Sequence, residues 1–494
     1  MEPEQFNEYQ RVRYEKMMAL REQGIDPYPP RVDRTHSSQE AIAALHDTPE
    51  GTEPARVTIV GRVMAIRIMG KAAFAHLEDG VGRIQLYLRR DGMGEEGYNQ
   101  FKKLVDLGDF IQATGTMFYT RTQEPTVEAE SWTMLAKALN QPPEKWHGLS
   151  DIEQRYRERY TDLMSNSEIR DIFIMRARIT SLVRRFLEDR GFLEMETPIL
   201  QPLYGGAAAR PFVTHHHWAK RDLYLRIADE LYLKRLLVGG LERVFEIGKD
   251  FRNEGVSFKH NPEFTMMEVY QAYADYRDMM ELAEGCWSFV CQAVHGTTQI
   301  PFGEHIIDLA PPWPRISLRD AILERTGVDL YEAETLETLQ AAIQAKGLRL
   351  ERKPTWGKQV DELFSASVEP HLIQPTFIVD YPYDLSPLAK QKADNPRLVE
   401  RFELFIAGME FANAFTELND PLEQIRRFQG QESQASAGDD ETQPMDEDFI
   451  NALMYGMPPT GGMGWGMDRM IMVLTNQHSI REVILFPQLR QGQE

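Results

Sequence analysis

Apolar and polar residues alternate with period two from Arg56 to about residue 135. Five runs in that stretch read as strands: RVTIVGRVMAIRI, KAAFAHLED, GRIQLYLRR, GDFIQATGTMFYT and EPTVEAESWTML, with turn residues between them. YNQFKKLVDL, between the third and fourth runs, reads as a short helix. Five strands with a helix in that place predict an OB-fold barrel over residues 56–139, an architecture that often binds single-stranded nucleic acid. Fold alone does not give function, and other small barrels share the pattern.

The flanking segments have a different period. Residues 4–22 are rich in helix formers and stop at Gly24 and Pro27, and a second helical stretch runs from Ser38 to Leu45. Residues 1–55 are thus expected to form a helical extension that packs on something else. Asn140-Gln141-Pro142-Pro143 marks a linker over 140–165, in which DIEQRYRERYTDLM reads as a charged helix or arm. Residues 166–494 form the large domain. It opens with a helix N-capped by Ser167, apolar at Ile169, Ile172, Phe173, Ile179, Leu182, Val183, Phe186 and Leu187, and stopped by Gly191. Strand-like runs (DLYLRIA, RVFEIGKDF, FTMMEVYQAYA, TFIVDYP, RFELFIAGMEFANAFTEL, MGWGMDRMIMVL) then alternate with helical ones. They predict an α+β fold on a mainly antiparallel β-sheet flanked by helices. The polar segment 431–443 reads as a surface loop.

Composition narrows the function classes. The chain has 494 residues, enough for two or three domains, and its 42% hydrophobic and 27% charged content is that of a globular protein. No run is long and apolar enough to span a membrane, and charges throughout the first 20 residues argue against a signal peptide, so a cytoplasmic location without membrane contact is expected. The only cysteines, Cys286 and Cys291, exclude a disulfide scaffold and a four-cysteine zinc site. A net charge of −21 argues against non-specific coating of nucleic acid, although residues 56–146 are close to neutral.

Candidate chemistry falls in three segments. The chain has no GxxxxGK[ST] loop and no GxGxxG after a strand, so any ATP would be held by side-chain charges on a sheet. Arg252, at the end of a strand in DFRNEG, presents a planar fork suited to a phosphate and a carboxylate, or to a surface pairing with Glu254 or Asp250. In PPTGGMGWGMDRMIMVL, glycine at alternate positions predicts close approach of a helix or a ligand, with Asp468-Arg469 opening an apolar helix. Glu403, Glu410 and Glu417 punctuate an apolar run. On a regular strand 403 and 417 share a face and 410 takes the other, unless a bulge intervenes. Buried carboxylates need partners, which metal ions or a cationic substrate would supply. His215-His216-His217 cannot all face one ion in an extended segment.

Together and in this order, these segments resemble one family: class II lysyl-tRNA synthetases of the bacterial and eukaryotic type. The resemblance covers residues 55–490. RGFLEMETPIL is similar to the first motif of the class, which builds a dimer interface; DFRNEG with HNPEFTMMEVY is similar to the second and GMGWGMDR to the third. GGAAARPF, ADELYLKRL, TMMEVYQAYADY, FANAFTELNDP and NQHSIREVILFP carry the lysyl subtype. The resemblance implies a homodimer whose OB-fold domain reads an anticodon and whose catalytic domain makes lysyl-adenylate from lysine and ATP with Mg²⁺, then charges lysine tRNA at its 3′ end.

It also implies roles for matching residues. Arg252 would hold the α-phosphate and the lysine carboxylate, and Glu254 the adenine amino group. Phe264 and Arg469 would sandwich the adenine, with Arg469 near the γ-phosphate and His260 at the phosphate tail. Glu403 and Glu410 resemble the magnesium ligands, with Asn413 beside them in the substrate pocket. Glu230 would face the lysine α-amino group, and Glu268, Tyr270 and Glu417 the ε-ammonium. In the barrel, Phe74 would stack an anticodon base and Gln85 read an edge, with Arg62 and Arg67 on phosphates. The sequence departs from the family pattern at Asp229, where proline is common, at Ala412, and at the bulky Trp465.

This assignment agrees with elementary chemistry. The lysine carboxylate is itself the nucleophile, so displacement at the α-phosphorus needs positive charge and alignment rather than a side-chain base. Carboxylates facing the ε-ammonium reject leucine or methionine by being left unpaired. The alternatives are an aspartyl- or asparaginyl-type synthetase, which would offer its substrate side chain a cation; a lysyl-type paralogue acting on a protein, which would typically lack the barrel; and a non-catalytic RNA-binding protein, against which Arg252, Glu403, Glu410 and Arg469 speak.

Overall fold

A computed structural model describes residues 3–49, 51–143, 151–436 and 443–489. They form two compact units, Met1–Ser150 and Asp151–Glu494.

In the first unit, helices α1 (Glu8–Glu22) and α2 (Ser38–His46) precede strands β1 (Arg56–Met69), β2 (Ala72–Glu78) and β3 (Arg83–Arg89), helix α3 (Arg90–Leu104), and strands β4 (Phe110–Tyr119) and β5 (Pro125–Ala136). The strands close into a barrel of order β1-β2-β3-β5-β4, antiparallel except for β3 against β5. Each predicted strand is present to within two residues. α3 starts earlier than the sequence suggests and kinks at Gly94 (φ 78°). The barrel interior is filled by alternate residues such as Val57, Ile59, Ala73, Ala75, Leu86 and Leu88. Leu20 of α1 and Ala41 and Leu45 of α2 belong to the same apolar cluster, so what the N-terminal helices pack on is the barrel itself.

The second unit opens with α4 (Ile152–Arg157), α5 (Arg159–Ser165) and α6 (Ser167–Glu188). The N-cap of α6 is Asn166, one residue before the expected Ser167, and makes no side-chain cap. After β6 (Leu193–Glu194) come a small sheet of β7 (Leu200–Gln201), β8 (Val213–His216) and β9 (Arg221–Leu225), then α7 (Glu230–Val238), β10 (Arg243–Phe251), β11 (Glu263–Ala272) and α8 (Tyr276–His295). A hairpin, β12 (Gln299–Phe302) and β13 (His305–Asp308), leads to β14 (Arg315–Ser317), α9 (Leu318–Thr326), α10 (Leu336–Ala345), α11 (Trp356–Ser367) and β15 (Thr376–Val379). The chain ends with β16 (Arg401–Ile406), β17 (Met409–Thr416), α12 (Pro421–Ser436), α13 (Glu447–Met454), β18 (Thr460–Gly466), α14 (Met467–Leu474) and α15 (Ile480–Val483). The expected loop at 431–443 is therefore helical as far as Ser436, and residues 437–442 lie outside the described residues.

Eight strands form one sheet, β14-β15-β16-β17-β18-β11-β10-β6, antiparallel except at its two ends. The amphipathic helices α6 and α8 cover one face. There Trp287 stacks on Trp465 (5.8 Å between rings) within a core that includes Cys286 and Cys291. No helix among the described residues is long and apolar enough to cross a membrane.

Candidate active site

The other face of the sheet carries the candidate chemistry, and the strand register shows how. Cross-strand partners share a face, and one row runs Glu403, Asn413, Gly464, Glu268, Glu246 across β16, β17, β18, β11 and β10. The next row runs Arg401, Phe415, Gly462, Tyr270. Alternation in β18 sends Met463 and Trp465 into the core and leaves Gly462, Gly464 and Gly466 as the floor of a cleft of about 370 Å³. The glycine run therefore leaves room for a ligand, and Trp465 points away from it.

Arg252, Glu254, His260, Phe264, Glu230, Glu268, Tyr270, Glu410, Asn413, Glu417 and Arg469 all line this one cleft. Glu410 reaches it because the β16–β17 register shifts between Leu404 and Phe405, so that Phe405 pairs with Glu410. This bulge turns Glu410 onto the face of Asn413. Glu403 sits on the same face but does not line the cleft. Its oxygens accept hydrogen bonds from Tyr381 Oη (2.7 Å) and Arg401 Nη2 (2.5 Å).

At one end of the cleft, Arg252 lies over the Phe264 ring (5.1 Å), its Nε buried without a partner among the described residues. Arg469 donates to the Glu410 carbonyl, stands 3.6 Å from the Glu410 carboxylate and approaches His260 Nε2 at 3.4 Å. His260 Nδ1 meets Ser257 Oγ at 2.8 Å. Desolvation by its neighbours, then the charges of Arg469 and Lys259, push the His260 imidazole down to about 4, so it is neutral at physiological pH. Asp468 is structural: it accepts from the Thr265 amide (2.7 Å) and pairs with Arg176 (2.6 Å), tying α14 to β11 and α6.

The opposite end is a buried acidic pocket. Tyr270 Oη donates to Glu268 Oε2 at 2.7 Å. Glu230, Glu268 and Glu417 are 5%, 4% and 1% exposed. Burial first, and neighbouring carboxylates as well, push Glu268 up to about 7 and Glu417 up to about 8. Lys234, which the sequence reading passed over, is fully buried here and pairs with both Glu230 (2.5 Å) and Glu417. Its signal was the i,i+4 spacing from Glu230 on a helix. Behind Glu268 stand Asp229 and Asp250, with Arg226 against Asp250 (3.0 Å) and Glu246 (2.5 Å).

In the barrel unit, Phe74 and Gln85 lie on the outer face of β2 and β3. Phe74 stacks on Tyr87 (4.8 Å), which in turn nears Phe118 (6.0 Å), and exposed Arg67 pairs across β1–β2 with Phe74. Arg62 does not join them: its guanidinium donates to the Gly108 carbonyl (3.1 Å) and covers Phe110 (4.3 Å). Tyr87 was legible as an aromatic two residues beyond Gln85 on the same face. His215–His217 lie on and just beyond the exposed strand β8, with His215 against Asp222 at 2.8 Å.

Comparison with known proteins agrees with this geometry. The family model of class II tRNA synthetases (D, K and N) matches residues 151–490, and that of the OB-fold nucleic acid binding domain matches residues 57–135. The lysine–tRNA ligase of Roseiflexus sp. (strain RS-1) is 58% identical, covering 98% of this chain and 99% of the relative. That of Chloroflexus aurantiacus is 57% identical over 99% of both chains, and that of Bacillus subtilis 52% identical over 99% of this chain and 98% of the relative. The chain belongs to the class II tRNA synthetases, in the lysine–tRNA ligase family.

Proposed function

We propose that this chain activates lysine with ATP to lysyl-adenylate, releasing pyrophosphate, and passes the lysyl group to the 3′ end of a lysine tRNA. The observation that carries the reading is the polarity of the cleft, with the guanidinium groups of Arg252 and Arg469 at one end and three buried carboxylates at the other. Lysine spans the two. Its ε-ammonium meets Glu268, Tyr270 and Glu417, its α-amino group Glu230, and its carboxylate Arg252, which delivers that nucleophile to the α-phosphorus. Phe264 and Arg469 hold the adenine, Glu254 its amino group, and His260 reaches the phosphate tail. An aspartate pocket would need a cation where Glu268 and Glu417 stand.

Glu403 and Glu410 fit a magnesium ion chemically. Both offer hard oxygen donors. Glu403 is pushed up to about 7, by burial first and by Glu410 as well, against the lowering by Arg401 and by the Tyr381 hydrogen bond, so a cation between the two carboxylates would be favoured. Magnesium would neutralise phosphate charge during displacement. Phe74, Gln85 and Arg67 form the proposed anticodon-reading face, and Arg62, held by the Gly108 carbonyl and the Phe110 ring, stands apart from them. Exposed Leu193, Ile199, Leu200 and Val213, in and after the first class motif, support a homodimer through that surface.

ATP–pyrophosphate exchange with each of the twenty amino acids, in Mg²⁺ without tRNA, tests the reading. Exchange with lysine alone is expected; exchange with aspartate or asparagine, or with none, overturns it. Arg469→Ala is expected to abolish this exchange while leaving the oligomeric state measured by light scattering unchanged.

A further inference from the structure

The acidic end of the cleft holds more buried carboxylates than the substrate can neutralise. Glu230 on α7, Glu268 on β11 and Glu417 beyond β17 converge there, with Tyr270 beside them and Asp229 and Asp250 behind. Against them stand two buried cations, Arg226 and Lys234. Arg226 belongs to the rear group. It lies across Gly248, where a Cβ would come within 2.0 Å of its Nη2, and pairs with Glu246 and Asp250. Lys234 alone serves the front.

Its placement is specific. The Lys234 ammonium, fully buried, takes Glu230 Oε1 at 2.5 Å and Glu417 Oε2. Each carboxylate keeps its other oxygen against a glycine of the cleft wall. Glu230 Oε2 lies 3.6 Å from the position of a Cβ on Gly206, and Glu417 Oε1 lies 2.1 Å from that of a Cβ on Gly462. One internal ammonium therefore joins the residue proposed for the α-amino group to a residue proposed for the ε-ammonium.

We propose that Lys234 is a specificity-determining positioning residue, an ammonium built into the protein that bridges Glu230 and Glu417 and sets the spacing between the two ends of the amino-acid pocket. This rests on the lysine-activating reading above. Without a cation between them, two like charges so close in a buried site separate or take up protons, and either change loses the preformed geometry. With Lys234 in place, one oxygen of each carboxylate is aimed at substrate before it arrives, and a chain one methylene shorter reaches only one of them.

The test is Lys234→Met, which keeps length and removes charge, in the full-length protein. MgATP binding by calorimetry reports on the other end of the cleft. The expected result is unchanged MgATP affinity and kcat, a lysine KM raised on the order of tenfold, and a lysine-over-ornithine ratio of kcat/KM lowered by a similar factor. The lysine KM should also fall more steeply with rising pH, because Glu230, Glu268 and Glu417 would have to shed more protons to bind. Lys234→Gln, which can still donate to one carboxylate, should show the same signature more weakly. Either variant that binds MgATP and keeps wild-type discrimination overturns the proposal, as does a loss confined to kcat. Loss of MgATP binding in both variants also overturns it and assigns Lys234 to folding. Absence of lysine-dependent exchange in the wild-type protein would instead overturn the lysine-activating reading.

Discussion

Gly462 shows how one hydrogen atom decides a pocket. A Cβ there would stand 2.1 Å from Glu417 Oε1 and 2.5 Å from Tyr270 Cε1, and neither group can retreat from the buried wall it belongs to. Gly462→Ala is expected to raise the lysine KM by about a hundredfold while sparing MgATP binding, as measured by exchange kinetics and calorimetry. Titration gives a second residue-scale prediction. Glu268, held by Tyr270 rather than by a cation, is raised to about 7, so between pH 8 and pH 6 it passes from carboxylate to neutral acid, and burial raises Glu417 as well against its pairing with Lys234. The lysine KM should rise as pH falls through that window, by up to about tenfold per pH unit for each proton that must leave. Stability responds in the opposite direction. These acids hold protons more tightly folded than unfolded, so the substrate-free protein should lose stability as pH rises from about 5 to 8, visible as a falling melting temperature that lysine restores. Glu417 was legible in the sequence because a charge in an apolar run demands a partner, and Glu268 through its place in a family motif. Lys234 was not, because a lysine on a helix reads as surface until its burial is seen.

Elements were legible where one face is buried and the other wet. The five barrel strands, the helix of residues 167–188 and the apolar helix after Arg469 follow the sequence period closely. Three features did not follow. The β16–β17 bulge that turns Glu410 toward the cleft leaves no mark in the pattern, since it is a property of pairing. The polar tail of α12 reads as loop because its composition lacks an apolar stripe. Lys137, near the end of the last barrel strand, looks exposed yet is fully buried. It donates to the Leu104 carbonyl (2.8 Å), Asp106 (2.6 Å) and Asp109 (2.7 Å), while Lys16 of α1 takes the other oxygen of Asp106 (2.6 Å). Asp109→Ala removes a buried partner from this cation and is expected to destabilise the barrel by about 3–5 kcal/mol. Hydrogen exchange of β4 and β5 amides in the full chain measures it, with lysine-dependent exchange activity retained.

At the scale of the whole molecule, the proposed anticodon face and the proposed catalytic cleft fall in different units. Phe74→Ala removes the ring that Tyr87 backs and is expected to cost about 1–3 kcal/mol in kcat/KM for tRNA charging. Pyrophosphate exchange should be unchanged, because Phe74 belongs to a unit with its own core; equal loss in both assays would make Phe74 a folding residue. The sequence by itself determined the barrel, the α+β class of the larger unit, most of the charged residues that line the cleft, and the family. Each of these follows from local period, from turn chemistry or from strings of residues that need no partner to be read. Only the tertiary structure decided which face of the glycine strand lines the cleft, that Glu410 reaches the cleft while the oxygens of Glu403 are taken by Arg401 and Tyr381, that the Arg62 guanidinium is engaged by the Gly108 carbonyl and the Phe110 ring, and that Lys234 sits among the carboxylates of the pocket. Those facts depend on register and burial, which arise between segments far apart in the chain, and no local pattern carries that information.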